Sequence, residues 1–203
     1  MKHYPLFFNL KGRKAIVFGG GAVAERKIRS LLQSGAQVHA VSCEFAPAVR
    51  ALARKTARLK LEPAKASPKR ALAKLLKNAD LAFAATSDAA WNRLVVKHCR
   101  RLRIPVNVAD QPELCDFFVP SYFKKGDLEV AVSTGGASPL WARRFREELE
   151  SKLRPEAIRL LGKLKKQRPG ARRKFATAGK RREFFAGQIG AGFHFLNGGK
   201  SKS

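Results

Sequence analysis

The chain has 203 residues, 45% hydrophobic, 28% charged and 9% aromatic, enough apolar material for one domain with an appendage or for two small ones, so disorder throughout is excluded. Lys and Arg number 42 against 15 Asp and Glu, giving a formal net charge of +27 and an isoelectric point near 11.0. Such a surface points to polyanionic partners: nucleic acid, an anionic membrane face, or a small substrate bearing several carboxylates or phosphates. Cys43, Cys99 and Cys115 are scattered, which argues against a disulfide framework or a thiolate metal site. No apolar run suits a membrane span or a signal peptide, so a soluble, cytoplasmic protein without membrane contact is the expectation.

Lys14 to Phe18 is a short apolar run that ends at Gly19-Gly20-Gly21, and Val23, Ala24, Ile28, Leu31 and Leu32 then recur at helical spacing as far as Gly35. Strand, glycine turn and helix follow one another. Next come a strand over 37–42, a helix over 45–55, a strand over 58–62 and a helix over 69–77. A strand over 81–85, a helix over 89–101 and a strand over 104–109 continue the alternation. This rhythm predicts an α/β, Rossmann-like fold over residues 1–110, with a parallel sheet covered on both faces. From Gln111-Pro112 it stops: 117–120 reads as irregular and apolar, and 128–133 alternates as one strand. Ser138-Pro139 reads as the cap and first turn of a helix whose apolar side carries Leu140, Trp141, Phe145, Leu149 and Leu153. Two basic helices are expected at 155–166 and 171–185, then a glycine-rich, disordered tail. The expected division is 1–110, 111–150, 151–186 and 187–203.

Gly19 to Ala24 has the form GxGxxA between a strand and a helix, the context this motif needs. Glycines let the backbone approach a pyrophosphate, and the helix start at Ala22-Val23 offers free N–H groups and the positive end of the dipole. The plain alternative is a tight βα turn without a ligand. At the end of the second strand, Glu44 is placed either to hold ribose hydroxyls, favouring NAD over NADP, or merely to start the next helix. Two more loops reach the carboxyl end of the sheet: Thr86-Ser87-Asp88 after the fourth strand and Asn107 to Asp110 after the fifth. Asp110 can take a proton or orient a substrate nitrogen, or it is a turn residue before Gln111-Pro112. A second glycine loop, Thr134-Gly135-Gly136-Ala137-Ser138, reads either as a second anion site or as a helix cap. His3, His39, His98 and His194 stand far apart, so no protein-built metal site is expected, and Cys115 has no histidine at a catalytic spacing.

Tyr4-Pro5-Leu6-Phe7 with Leu10, the run Val17 to Lys27, Asn107 to Asp110, Phe117 to Ser121 and Val132 to Pro139 together resemble the precorrin-2 dehydrogenase and sirohydrochlorin ferrochelatase family. That family forms the N-terminal half of sirohaem synthases or stands alone, and the resemblance runs from residue 1 to about 186. It implies NAD-dependent oxidation of precorrin-2 to sirohydrochlorin and, in bifunctional members, insertion of Fe(II) to give sirohaem. It further implies a Rossmann domain, a dimerisation region and a small helical domain, hence a homodimer. Carried over by motif, Gly19, Gly21, Ala22 and Val23 hold the pyrophosphate, Cys43 and Glu44 meet the adenosine side, and Thr86 joins the cofactor site. Asp110 is the implied catalytic aspartate, while Asn107, Thr134, Gly135 and Ser138 fall in the substrate region, Thr134 where some members carry serine.

A tetrapyrrole substrate with eight carboxylates suits a basic cleft, and chelation needs no protein cage because the pyrrole nitrogens are the ligands. The chain holds no methyltransferase half, so a standalone form is expected. Two competing readings are a redox-inactive chelatase and a basic Rossmann-fold nucleic-acid-binding protein. The second is motivated by charge, since residues 151–203 hold 15 Lys and Arg against Glu156 and Glu183. It lacks the aromatic interleaving of a base-stacking surface, which makes nucleic acid the weaker partner.

Overall fold

Five short runs rich in Val, Ile, Leu and Ala form the parallel sheet that organises the first half of the chain: β1 (Lys14–Phe18), β2 (Gln37–Ser42), β3 (Leu59–Pro63), β4 (Leu81–Ala84) and β5 (Val106–Val108). Their order is β3-β2-β1-β4-β5. The computed structural model describes residues 3–64 and 71–190. The chain divides into two units, Pro5–Phe118 and Val119–Ser203 with Met1–Tyr4.

In the first unit, β1 and β4 are buried on both faces, which is why they read as unbroken apolar runs rather than alternating ones. Helices α1 (Ala22–Gln33) and α2 (Pro47–Lys55) cover one face through Ala24, Ile28, Leu31 and Val49. The other face lies under α3 (Leu72–Leu76) and α4 (Ala89–Arg101), through Leu72, Leu76, Val95 and Cys99. The α/β reading of the sequence therefore holds, and the strand order reverses between β1 and β4, which opens a crevice at the carboxyl ends of those strands.

Local boundaries differ from expectation for identifiable reasons. Helix α2 starts at Pro47, not at Phe45, because Phe45 turns into the core and Pro47 takes the first helical turn. Residues 69 and 70, expected in the next helix, lie outside the described residues. The segment after β5 folds back instead of leaving the sheet. Asp116 N–H donates to the Val106 carbonyl at 2.8 Å, the Asn107 amide donates to the Phe117 carbonyl at 2.9 Å, and Phe117 meets Phe83 edge-on at 5.4 Å. These ties carry the first unit on to Phe118.

The second unit contains an antiparallel hairpin, β6 (Ser121–Lys125) with β7 (Leu128–Val132), and three helices, α5 (Pro139–Lys152), α6 (Pro155–Lys174) and α7 (Ala178–Ile189). Only β7 was expected as a strand. Helix α6 runs through Pro169 to Lys174 rather than ending at 166, and α7 begins at Ala178, where the Thr177 hydroxyl accepts from Lys180 N–H at 3.3 Å. It continues to Ile189, beyond the glycine at 187; residues 191–203, including Gly192 to Leu196, lie outside the described residues.

Candidate functional site

The glycine turn is shaped by what presses on it. Gly19 has φ +125°, and a Cβ built there would stand 2.3 Å from the Ala85 carbonyl oxygen. At Gly20 a Cβ would meet the Glu44 carbonyl oxygen at 2.0 Å. The loop after β1 is thus pinned between the loops after β4 and β2, with Gly19 N–H donating to Val41 at 2.9 Å and Ala46 N–H to Gly20 at 2.9 Å. Gly21 is the opposite case: nothing lies within 4 Å of its virtual Cβ. It is also the N-cap of α1 and brings no capping side chain, so the first N–H groups of Ala22 and Val23 are left for an outside acceptor. A cradle closed behind and open in front fits a dinucleotide pyrophosphate. Ala24, fully buried, completes the motif by letting α1 pack closely on the sheet.

Cys43 and Glu44 follow β2 directly and are exposed. Glu44 is not in the first turn of α2, which holds no acidic residue, so its carboxylate stands free at the sheet end. Thr86, after β4, has its hydroxyl engaged: it donates to Asn92 Oδ1 at 2.7 Å, while the Asn92 amide donates back to the Thr86 carbonyl at 3.0 Å. Asn92 is 2% exposed, a buried polar group whose partner is this loop. Asp88 caps α4, accepting from Trp91 N–H at 2.9 Å.

Across the switch point, Asn107 lies in register with Phe83 and spends its amide on the Phe117 carbonyl. Asp110 is exposed at the tip of the following turn, with φ +58°, a left-handed conformation that Asp tolerates better than most residues. Cys115 folds beneath: Val108 N–H donates to its sulfur at 3.1 Å, and burial pushes its pKa up, an effect opposed by that bond and by Lys27. Lys27 is a residue that sequence reasoning passed over. It leaves α1 on the flank of the buried stripe, with Nζ 5.6 Å from the centroid of the Phe83 ring. The available signal was a lysine three positions after the small motif residue Ala24.

Thr134, Gly135 and Ser138 belong to the second unit, and their loop is knit to itself. The Thr134 hydroxyl accepts from Ser138 N–H at 3.1 Å and donates to the Ser138 carbonyl at 3.2 Å. Gly135 N–H donates to the Ser133 hydroxyl at 3.2 Å, and Ser138 caps α5 by accepting from Trp141 N–H at 3.2 Å. Among the described residues, no group of three His, Cys, Asp or Glu side chains could hold a metal ion, and no helix is long and apolar enough to cross a membrane.

Comparison with known proteins agrees with this layout. Residues 6–121 match the family model described as "Putative NAD(P)-binding", and residues 125–152 match "Sirohaem biosynthesis protein central". A protein named "Siroheme synthase" from Methylobacillus flagellatus is 38% identical over 94% of this chain and 40% of its own length. "Siroheme synthase 2" from Klebsiella pneumoniae is 39% identical over 91% of this chain and 39% of its own. The chain thus spans about 40% of the length of these curated relatives. A solved structure titled "SirC, precorrin-2 dehydrogenase" superposes with a TM-score of 0.73 at 27% identity, covering 94% of this chain and 92% of that one.

Proposed function

This chain belongs to the putative NAD(P)-binding family, and on that footing we propose that it oxidises precorrin-2 to sirohydrochlorin with NAD, as a step of sirohaem biosynthesis. The observation that carries the reading is the switch-point crevice, with an open glycine cradle at the end of β1 and a free carboxylate, Asp110, after β5. Gly19, Gly21, Ala22 and Val23 would hold the pyrophosphate, Cys43 and Glu44 the adenosine ribose, and Thr86 the middle of the dinucleotide. The Glu44 carboxylate repels a 2′-phosphate and so selects NAD over NADP.

The reaction breaks a C–H bond of the macrocycle with its electron pair and releases a proton. NAD, held by Gly19, Gly21, Ala22 and Val23, would supply the hydride acceptor. Asp110 accepts the proton, being exposed and not spent on capping a helix. Asn107 keeps the floor of the site in place by clamping the Phe117 segment. The loop from Thr134 to Ser138, in the second unit, has its hydroxyls engaged internally and so has only backbone groups to offer an anion.

The chain works as a homodimer in the cytosol. Leu140, Trp141 and Phe145, on one side of α5, are 65%, 54% and 39% exposed, an apolar strip suited to a second copy. The deciding experiment is incubation of the purified chain with precorrin-2 and NAD, which should develop the sirohydrochlorin spectrum; later addition of Fe(II) reads chelation separately. Asp110→Asn keeps the left-handed turn comfortable and should lower turnover at least about 100-fold. Normal turnover in that variant removes Asp110 from the mechanism.

A further inference from the structure

The amine of Lys27 serves neither the cofactor cradle nor the core. It is half-buried, and among the described residues it makes no hydrogen bond and no ion pair. Drawing an ammonium out of water without a partner is costly, and such a group persists where something outside the chain repays it. Burial pulls its pKa below the ordinary lysine value, with Arg26 acting the same way, while Cys115 and Asp110 pull it back up. Both of those neighbours follow β5 in the chain. The Phe83 ring beneath it belongs to β4, so the ammonium lies on the far side of the switch point from the pyrophosphate cradle on β1.

We propose that Lys27 anchors a carboxylate of the substrate, setting the macrocycle so that its reacting edge faces Asp110; this rests on the tetrapyrrole reading above. Three features on the page favour a carboxylate. The ammonium sits over the buried Phe83 ring, which Phe117 meets edge-on at 5.4 Å, so its nearest recorded neighbour is an aromatic face that leaves its charge uncompensated. The cation feels the Asp110 charge but makes no ion pair with it, so it is free to pair with an incoming anion. A lysine is a compact point charge that accepts a carboxylate from several angles, unlike the fixed fork of arginine.

The test uses the full chain and its Lys27→Gln and Lys27→Arg variants, with precorrin-2 varied at saturating NAD. The expected result for Lys27→Gln is a KM for precorrin-2 raised about tenfold or more, with kcat within about threefold of the parent and the KM for NAD unchanged. Lys27→Arg should recover most of the loss. An unchanged precorrin-2 KM, or a raised KM for NAD instead, overturns the proposal. Reductive methylation of the wild-type chain gives a second readout: bound sirohydrochlorin should shield Lys27 from modification and NAD alone should not. Shielding by NAD alone, or none by the tetrapyrrole, also overturns it. A wild-type chain that fails to turn over precorrin-2 defeats the functional reading by itself, whereas an active wild type with an indifferent Lys27→Gln variant defeats only the role of Lys27.

Discussion

Gly20 shows how far a single residue can be read before its neighbours are known. It fills the variable position of GxGxxA, yet it is the most crowded of the three glycines, with its virtual Cβ 2.0 Å from the Glu44 carbonyl oxygen. Gly20→Ala must push the β1 and β2 loops apart. We expect a loss of about 2 kcal/mol or more in urea unfolding and loss of NAD binding by fluorescence titration. The placing of Gly19, Gly21 and Asp110 at the strand ends was legible because the motifs and the strand pattern state it directly. Lys27 was not, because its meaning depends on Phe83 and Asp110, which are distant in sequence. The Thr134 and Ser138 hydroxyls were ambiguous for the same reason: a cap and an anion site use the same residues, and only the bonds within the loop distinguish them. His39 carries a pH dependence of its own. Burial lowers its pKa below the usual value of about 6.5, Lys60 and Lys14 lower it further, and the Glu62 carboxylate at 2.9 Å opposes them. The unfolded chain therefore binds more protons just below that pH, so this contribution to stability is present above about 6.5 and is lost as pH falls. Urea midpoints measured from pH 7.5 to 5 should fall less steeply for His39→Gln than for the parent.

At the scale of elements, the parallel sheet followed from composition, since doubly covered strands must be apolar throughout. The hairpin was half missed. Gly126-Asp127 is a two-residue turn with glycine in the left-handed region at φ +58°, a recognisable hairpin signal, but β6 alternates too weakly to read as a strand without β7 beside it. Helix α6 runs past its expected end at 166 although a proline, Pro169, normally ends a helix. It passes through because the charged residues on either side are good helix formers and the turn beyond it anchors Ala171, which is buried. The proline still removes one N–H donor from the ladder. Pro169→Ala should stabilise the second unit by about 1–3 kcal/mol, read as a higher urea midpoint, and an unchanged midpoint would show the helix already distorted to suit it.

For the whole molecule, the charge of +27 was the loudest feature of the sequence and the least specific. Part of it is absorbed by local pairs such as Arg146 with Glu147 and Glu150, at 3.0 and 2.8 Å, and Lys165 with Asp127. The exposed Lys163, Lys166, Arg168, Arg172, Arg173 and Lys174 of α6 remain as a field that gathers anions without selecting among them. On the proposed function, selection belongs to the crevice of the first unit. The proposed pairing of two copies is checked by sedimentation: Trp141→Ser should move the chain toward a monomer, with its spectrum of secondary structure intact.

Among the described residues, the buried hydrophobic side chains of the second unit are Phe123, Ala142, Ala157 and Ala171, while the first unit buries whole strands. So unequal a division of the interior predicts that the two units differ in stability. Scanning calorimetry should resolve two endotherms, the lower from the second unit, with NAD raising only the upper. One transition with equal calorimetric and van't Hoff enthalpies would overturn that expectation.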